Sequence, residues 1–477
     1  MGLPSRSLAT AVEALFADEP AEPRMHTSAV PGPRSKSLMD GINTLQDQRA
    51  VYFVQDIDKS IGNYIADADG NLMLDLYAQI ASIAVGYNNP KLLDLARSDK
   101  FVRAAMNRPA LGVFPPTDWK ETLDEAFMTN APPGLNQVFT AMCGSCANET
   151  AFKAAFMYQQ AKKRGDADFT AAELASCMKN EAPGSPAYSI MSFAKAFHGR
   201  TLASLSATRS KPIHKIDIPA LNWPVAPFPE VQYPLEANAA ANREAEDHAL
   251  AETEHLLKTH PVPVAAIIIE PIQGEGGDNM ATPRFYQGLR ALTQRLGVLM
   301  IVDEVQTGMG ATGKMWAHEH WNLDTPPDMV TFSKKMQAAG WYHNMAMRAS
   351  QPLRNFNTWL GDPIRAYQAA AIMQQIREYD LLKLVNEVGD YTLQGLRKLE
   401  QQHPAVMCNA RGQGTFLAFD VPDPAQRAAI VENIRKRGVN MGVSGHQSVR
   451  LRPMLTFQKK HADIFLSRLK DTIEAGL

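Results

Sequence analysis

The chain has 477 residues, which exceeds the size of one hydrophobic core and predicts two closely joined domains. Hydrophobic residues form 45% and charged residues 21% of the sequence, as in an ordinary globular protein. The formal net charge of −2 gives no basis for a nucleic-acid or membrane-surface binder, and no apolar run approaches the roughly 18 residues of a membrane helix. Four cysteines fit a reducing compartment better than a disulfide-bonded secreted chain.

Residues 1–25 form a poorly specified tail. Arg6 and several serines and alanines resemble a mitochondrial presequence, whereas Glu13 and Asp18 argue against one. We therefore expect either the cytoplasm or the mitochondrial matrix. The following segment, 26–80, contains strand and turn patterns between residues 50 and 75, and we expect it to pack with a small C-terminal domain.

Strands alternate with helices from about residue 137 onward, within a predicted large domain that spans 81–363. A helix is predicted from the N-cap Thr282 and Pro283 to the stop at Gly297, and a second helix at 148–163. Near-continuous apolar strands of this kind predict a mostly parallel α/β sheet. The predicted strands are 136–142, 188–193, 265–270, 298–302 and 329–332.

The pattern changes after residue 363. A long helical pattern runs from Ile364 into the 390s, and two strand patterns and a closing helix at 461–477 follow it. We expect residues 364–477 to form a smaller α+β domain.

Glycines at 308, 310 and 313, followed by Lys314, partly match two nucleotide-binding patterns. The P-loop pattern fails because Met315 stands where a Ser or Thr would hold magnesium. The dinucleotide pattern requires its glycines directly after the strand, but here the strand ends several residues earlier. A nucleotide-binding protein is thus the rival from another functional class.

Several polar groups follow predicted strands. Gly144 and Ser145 open a helix, where backbone N–H groups suit a phosphate. Arg200 either binds a carboxylate through two guanidinium N–H groups or is a surface residue. Asp303 either pairs with a cation or caps a loop. Lys334 and Lys335 follow another strand. Because carboxyl ends of parallel strands meet at one edge, we expect a ligand site there.

The motifs resemble the class-III family of pyridoxal-phosphate-dependent aminotransferases, which have fold type I and act on terminal (ω) amino groups. The resemblance extends from about residue 30 almost to the C-terminus. It rests on VPGPRS (30–35), LDLYAQI (74–80), NRPALG (107–112), CGSCANE (143–149), FHGRT (197–201), SKPIHKIDIPA (210–220), EPIQGEGGDN (270–279), DEVQTG (303–308), TFSKK (331–335), FNTWLGDP (356–363) and VRLRP (449–453).

This resemblance implies roles around pyridoxal 5'-phosphate. Lys334 would hold the cofactor covalently and carry a proton, and Asp303 would pair with its ring nitrogen. The remaining cofactor contacts implied are Gly144 and Ser145 to the phosphate, Phe197 over a ring face, Gln306 to the ring oxygen, and Thr358 to the phosphate of the neighbouring subunit in a homodimer. Lys335 is interpreted as a supporting or solvated neighbour.

The implied reaction moves the amino group of 4-aminobutyrate to 2-oxoglutarate. Arg200 would bind the substrate carboxylate, Ile80 would line the pocket, and Glu275 would pair with Arg450 until a second carboxylate arrives. The alternative is another ω-amino donor, such as β-alanine, ornithine or a diamine. A catalytically inactive relative is disfavoured because Lys334 and Asp303 are both present.

Cys143 and Cys146 form a C-x-x-C pair, whose function can be interpreted in three ways. They could share a metal site across a dimer, act as a redox pair, or be small buried residues. Some members of the family hold a [2Fe-2S] cluster between subunits at this motif, so the resemblance favours such a cluster at a dimer interface.

Overall fold

The computed structural model describes residues 8–475, and side chains from residue 12 onward. Residues 1–7 of the predicted tail and residues 476–477 of the predicted closing helix lie outside this range. The N-terminal part contains short elements: α1 (Leu8–Leu15), α2 (Pro33–Asn43), β1 (Gln55–Ile61), β2 (Tyr64–Asp67), β3 (Leu72–Asp75), α3 (Ala78–Ala81), α4 (Pro90–Ala96), α5 (Asp99–Asn107) and α6 (Trp119–Ala126).

The middle of the chain builds a seven-stranded sheet. Its elements are β4 (Gln137–Ala141), α7 (Gly144–Arg164), α8 (Ala171–Cys177), β5 (Ser189–Phe193), α9 (Leu202–Ala207), β6 (Val225–Ala226), α10 (Ala239–Thr259), β7 (Val264–Ile269), α11 (Pro283–Leu296), β8 (Leu299–Asp303), β9 (Met329–Phe332) and β10 (Ala339–His343). The strand order is β4-β10-β9-β8-β7-β5-β6, and only β10 pairs antiparallel with its neighbours. The predicted mostly parallel α/β sheet is confirmed.

The C-terminal part contains a four-stranded sheet, in the order β11-β12-β15-β14. A further strand, β13, instead pairs with β3, so the N-terminal segment shares a sheet with the end of the chain. The elements are α12 (Pro363–Glu378), α13 (Leu381–Gln402), β11 (Cys408–Gln413), β12 (Phe416–Asp420), α14 (Pro424–Lys436), β13 (Val439–Asn440), β14 (Gly442–Ser444), β15 (Ser448–Leu451) and α15 (Lys459–Glu474).

Alternation along the central strands explains why these strands are apolar throughout. Met300 and Val302 of β8 point into one buried cluster, whereas Leu299 and Ile301 point into the other. Because helices cover both faces of the sheet, neither set of side chains can be polar. The charged residue of β8, Asp303, therefore stands at the end of the strand, where the site is built.

Most predicted elements agree with the structure. The predicted helix after Thr282 is α11, with Thr282 as N-cap and Gly297 in the left-handed region at its end. The single long helical pattern after Ile364 is wrong, because α12 and α13 are separated at Asp380, whose φ of 45° breaks the helix. β10 was not predicted, because its short run Ala-Gly-Trp-Tyr-His contains a glycine and has no marked alternation.

The described part of the N-terminal tail is ordered against the C-terminal helix. Val12 and Phe16 are buried, and Glu19 Oε2 lies 3.1 Å from Nε2 of His461 on α15. Arg24 forms a bridge with Leu72. Among residues 8–475, none of the helices has both the length and the apolar character required for crossing a bilayer.

Candidate active site

The carboxyl ends of β5, β7, β8 and β9 meet at one edge of the large sheet. Each strand is followed there by a polar group, as the sequence predicted. Hydrogen bonds connect the loops after β5, β7 and β8 to one another and to the start of α7. The strands fix the backbone positions, so the side chains converge although they are far apart in sequence.

Asp303 ends β8 and is only 4% exposed. Its Oδ2 accepts from Nδ2 of Asn148 at 2.9 Å and lies 2.8 Å from Nδ1 of His198, while Oδ1 accepts from the N–H of Val305 at 3.0 Å. Nε2 of His198 is buried and has no hydrogen-bond partner among the described residues. A buried carboxylate with three donors has a fixed orientation and a defined position toward a ligand.

Glu270 follows β7 and was not singled out from the sequence. Its two carboxyl oxygens accept from the backbone N–H of Phe197 at 2.8 Å and of Gly274 at 3.3 Å. Burial, followed by the negative charge of Asp303, raises the pKa of Glu270 well above its ordinary value. Glu270 therefore connects the two loops that carry Phe197 and Glu275.

Lys334 begins a short 3₁₀ turn directly after β9 and has a φ of 48°, which is unusual for a residue with a side chain. Burial, followed by the positive charge of Arg450, lowers the pKa of the Lys334 amine to about 8, although Glu275 and Asp303 oppose this. The lowered pKa increases the neutral fraction of the amine, and the neutral form is the one that a nucleophile requires.

Lys335 does not lie at the surface. Its side chain is 1% exposed, and its Nζ has no hydrogen-bond partner among residues 12–475. Burial and then the positive charges of Arg452 and Lys334 lower its pKa to about 7. The interpretation of Lys335 as a solvated neighbour is therefore wrong.

Gly144 is the first residue of α7, after Cys143 as N-cap. A Cβ at position 144 would lie 2.7 Å from Cγ1 of Val305, so only glycine allows this close approach to the loop after β8. Ser145 accepts at Oγ from the backbone N–H of Arg200 at 3.2 Å. The first turn of α7 presents backbone N–H groups beside Asp303, which suits a phosphate.

Arg200 is exposed, and its Nη2 lies 3.2 Å from Nε2 of His214. The His214 ring contacts the ring of Phe197 edge-on, with centroids 5.7 Å apart. Burial, followed by the charge of Arg200, lowers the pKa of His214. A neutral His214 leaves the positive charge of Arg200 available to an anionic ligand.

Glu275 and Arg450 form a buried ion pair across the two sheets, with Oε1 and Nη1 2.7 Å apart. Burial opposes ionisation of Glu275, but the charge and hydrogen bond of Arg450 outweigh it and hold the pKa of Glu275 below its ordinary value. Arg450 also donates to the hydroxyl of Tyr77 at 3.1 Å. The next arginine, Arg452, pairs with Asp278 and donates to Oε1 of Gln306 at 2.9 Å.

Two predicted residues lie farther out. Ile80 is 48% exposed in the left-handed turn α3, and Thr358 is exposed in the segment before α12. The predicted function of Thr358 requires a second subunit. The role of Thr358 and the roles of the other predicted site residues remain predictions.

Cys143 and Cys146 are free thiols with their Sγ atoms 3.3 Å apart. Burial, followed by the neighbouring Cys143, raises the pKa of Cys146 to about 11. Within the described residues, no group of three or more His, Cys, Asp or Glu side chains could hold a metal ion. One chain therefore supplies two thiols only.

The glycines at 308, 310 and 313 do not form a nucleotide loop. No helix starts directly after them, since the next element is a 3₁₀ turn at Ala317–Trp321. Side chains of Trp316, Leu382 and Asn386 pack against these glycines. The nucleotide-binding alternative lacks its structural context.

Sequence reasoning missed four residues that contact the predicted groups: Asn148, His198, His214 and Glu270. Each lies inside a motif that carried the resemblance, or beside one, but a single amide, histidine or glutamate has no distinctive spacing of its own. Their polar contacts are visible only after the strand ends are brought together.

Comparisons with known proteins agree with this arrangement. The aminotransferase class-III family matches residues 45–473. A 4-aminobutyrate aminotransferase of Dictyostelium discoideum is 57% identical over 96% of this chain and 92% of the relative. A mitochondrial 4-aminobutyrate aminotransferase of Mus musculus is 48% identical over 93% of this chain and 89% of the relative.

A solved lysine aminotransferase from M. tuberculosis superposes with a TM-score of 0.81 at 28% identity, covering 92% of this chain and 99% of that chain. This likeness confirms the predicted fold class, the α/β fold type I of pyridoxal-phosphate-dependent transferases. The chain belongs to the class-III aminotransferase family.

Proposed function

We propose that the chain transfers the amino group of 4-aminobutyrate to 2-oxoglutarate, giving succinate semialdehyde and L-glutamate. One observation carries this proposal: the charge of the buried Asp303 acts on a lysine amine whose pKa is lowered, while Glu275 pairs with Arg450 and Arg200 stays exposed. The high identity to relatives named for 4-aminobutyrate supports the choice of donor.

Pyridoxal phosphate is expected for a class-III aminotransferase, and the donor set fits it. Lys334 would hold the cofactor, Asp303 would face its ring nitrogen, and the first turn of α7 at Gly144 and Ser145 would hold its phosphate. When bound, the cofactor supplies an electron sink for the carbon that loses its amino group. Phe197 would cover one face of the ring.

Gln306 fits the proposed contact with the ring oxygen. Its Oε1 accepts from Arg452, which orients the side-chain amide. With Oε1 held by Arg452, the amide nitrogen would be the group that donates to the ring oxygen. Lys334 would act as the base and acid of the reaction, since its neutral amine can take the proton from the substrate carbon next to the amino group.

The two arginines explain how one site handles two substrates. 4-Aminobutyrate has one carboxylate, which Arg200 would bind, and the pair between Glu275 and Arg450 would stay closed. 2-Oxoglutarate has two carboxylates, so the second would replace Glu275 on Arg450. Without Glu275, Arg450 would be a buried and unpaired charge during the first half-reaction. Ile80 would line the donor pocket.

We further propose a homodimer in which Thr358 reaches the cofactor phosphate of the neighbouring subunit. Residues 81–363 would form the cofactor-binding domain, and residues 26–80 would pack with the small domain at 364–477. Two subunits would supply four thiolates from Cys143 and Cys146, the number that a [2Fe-2S] cluster needs. Cytoplasm and mitochondrial matrix both fit this chemistry, and the mouse relative carries the word mitochondrial in its name.

The test of the reaction is a comparison of kcat/KM for 4-aminobutyrate, β-alanine, ornithine and a diamine, each with 2-oxoglutarate. We expect 4-aminobutyrate to be the preferred donor. A higher kcat/KM for ornithine or β-alanine would assign the chain to the alternative. The comparison is needed because one methylene changes selectivity only modestly. The visible absorbance of bound pyridoxal phosphate provides an independent check of cofactor binding.

A further inference from the structure

The turn Ala78–Ala81 has an unusual backbone. All four residues have positive φ values, 47°, 53°, 59° and 63°, although none is glycine. A run of left-handed residues is sterically unfavourable for L-amino acids, because each Cβ approaches the following carbonyl oxygen. The surrounding structure must therefore hold this turn in place.

The N-terminal side of the turn is held by the backbone of β3 and its neighbours. The N–H of Tyr77 donates to Oδ1 of Asp75 at 2.9 Å, and the N–H of Leu76 donates to the carbonyl of Asn440 at 2.9 Å. Arg452 donates its N–H to the carbonyl of Leu76 at 2.7 Å. These bonds fix where the turn begins.

The C-terminal side is held by one side chain. Nε2 of Gln337 donates to the carbonyl of Ser82 at 2.6 Å. Gln337 ends the short turn that starts at Lys334, and its backbone N–H donates to the carbonyl of Lys334 at 2.7 Å. A single glutamine thus connects the left-handed turn to the turn that carries the lysine.

The turn presents Ile80, an exposed apolar side chain, at the edge of the site. Three residues earlier, the hydroxyl of Tyr77 accepts from Arg450, which pairs with Glu275. The turn is therefore bordered by the lysine on one side and by the arginine pair on the other. Its conformation decides where Ile80 lies relative to both.

We propose that Gln337 is a positioning residue that fixes the left-handed turn, and that Ile80 on this turn limits the carbon-chain length of the amino donor. The specificity part of this inference rests on the proposed function. The structural part, the link from Gln337 to Ser82, stands without it. Gln337 itself does not contact the reacting atoms; it acts through the turn.

The test is Gln337→Met in the enzyme saturated with pyridoxal phosphate. Methionine has a similar length but cannot donate to the Ser82 carbonyl. A typical hydrogen bond corresponds to a change of about 2- to 10-fold, so we expect KM for 4-aminobutyrate to rise by about that factor. The preference for 4-aminobutyrate over β-alanine should fall by about threefold or more, while kcat and the cofactor absorbance stay within about twofold.

Gln368→Met is the matched control. Gln368 accepts from Nη1 of Arg365 at 2.8 Å, as Gln337 does at 3.4 Å, but it has no bond to Ser82. We expect the control to leave the donor preference unchanged. An unchanged preference in Gln337→Met, or an equal loss of kcat for every donor, would overturn the proposal.

Hydrogen exchange separates this inference from the proposed function. The amides of Ser82 and Ile83 donate to the carbonyl of Ala78 at 2.7 and 3.1 Å, so they report whether the turn is intact. They should exchange faster in Gln337→Met than in the wild type or in Gln368→Met. Unchanged exchange would overturn the structural part whatever the substrate proves to be.

Two further outcomes are decisive. If the wild type does not use 4-aminobutyrate but the exchange change occurs, the specificity part fails with the proposed function and the link to Ser82 stands. If Gln337→Met does not fold, Ile80→Ala replaces it, since this variant should relax the same donor preference. An unchanged preference in Ile80→Ala would overturn the specificity part.

Discussion

Replacing Lys335 by methionine should stabilise the protein near neutral pH. The Lys335 side chain is buried, and its amine meets no hydrogen-bond partner in the described part of the chain. Burial, and then the charges of Arg452 and Lys334, lower the pKa from its ordinary value of 10.5 to about 7. The folded protein therefore binds the proton of Lys335 less tightly than the unfolded chain does.

The magnitude follows from this difference in pKa. At about 1.36 kcal/mol per pKa unit, a drop from 10.5 to about 7 lowers the free energy of unfolding by about 4–5 kcal/mol at and below pH 7. The penalty shrinks as the pH rises from about 7 to 10.5, because in this range the folded protein has lost the proton and the unfolded chain still binds it, so unfolding takes up a proton and becomes less favourable. Methionine keeps most of the packing volume and has no amine to desolvate.

The assay is denaturant unfolding of Lys335→Met and wild type at pH 7, 8.5 and 10, with saturating pyridoxal phosphate. The variant should be more stable at pH 7, and its advantage should nearly vanish at pH 10. Lys153→Met, at an exposed position on α7, is the control and should show no such pH dependence. A variant less stable than wild type at pH 7, or a difference that does not change with pH, would refute the reasoning.

The same variant also tests which lysine holds the cofactor. Lys335→Met should keep the visible absorbance of bound pyridoxal phosphate, whereas Lys334→Ala should lose it. The opposite result would reverse the assignment of the two lysines.

Three other predictions use the same enzyme. Arg200→Lys should raise KM for 4-aminobutyrate by about tenfold, since lysine lacks the bidentate fork, and unchanged kinetics would remove Arg200 from the site. Ala81→Gly should leave the denaturation midpoint almost unchanged, because relief of about 1 kcal/mol of left-handed strain offsets the flexibility of glycine. Ala172→Gly, in the right-handed helix α8, should lower the free energy of unfolding by about 1 kcal/mol. An equal loss of stability in Ala81→Gly and Ala172→Gly would contradict the left-handed strain at Ala81. If the proposed cluster forms, Cys143→Ser should abolish iron in the anaerobically purified protein, and wild type without iron would refute the cluster.

The sequence predicts the central strands well because their residues are buried on both faces. The apolar run that ends in Asp303 predicts a buried strand, and this strand places a carboxylate at the edge of the sheet. The same logic predicts Lys334. It fails for Lys335, because the sequence carries no sign that the neighbouring residue is also enclosed.

Other parts of the site depend on contacts between distant segments. The left-handed turn before Ser82 contains no glycine, so the sequence gives no warning of its backbone. The residue that follows it, Ser82, accepts a hydrogen bond from Gln337, which is 255 residues away in the chain. His198 and Glu270 likewise gain their roles from a neighbouring strand and cannot be recognised by local spacing.

Strand β15 and the residue after it carry two arginines that bind the same loop. Arg450 pairs with Glu275 and Arg452 with Asp278, and the arginines lie two residues apart, so both face the loop. If a substrate carboxylate displaces Glu275, as proposed, the Arg452–Asp278 pair would still join the two sheets. Under the proposed function, exchange of substrates would then require only a local rearrangement of the Glu275 side chain, with the contact between the two sheets kept by Arg452 and Asp278.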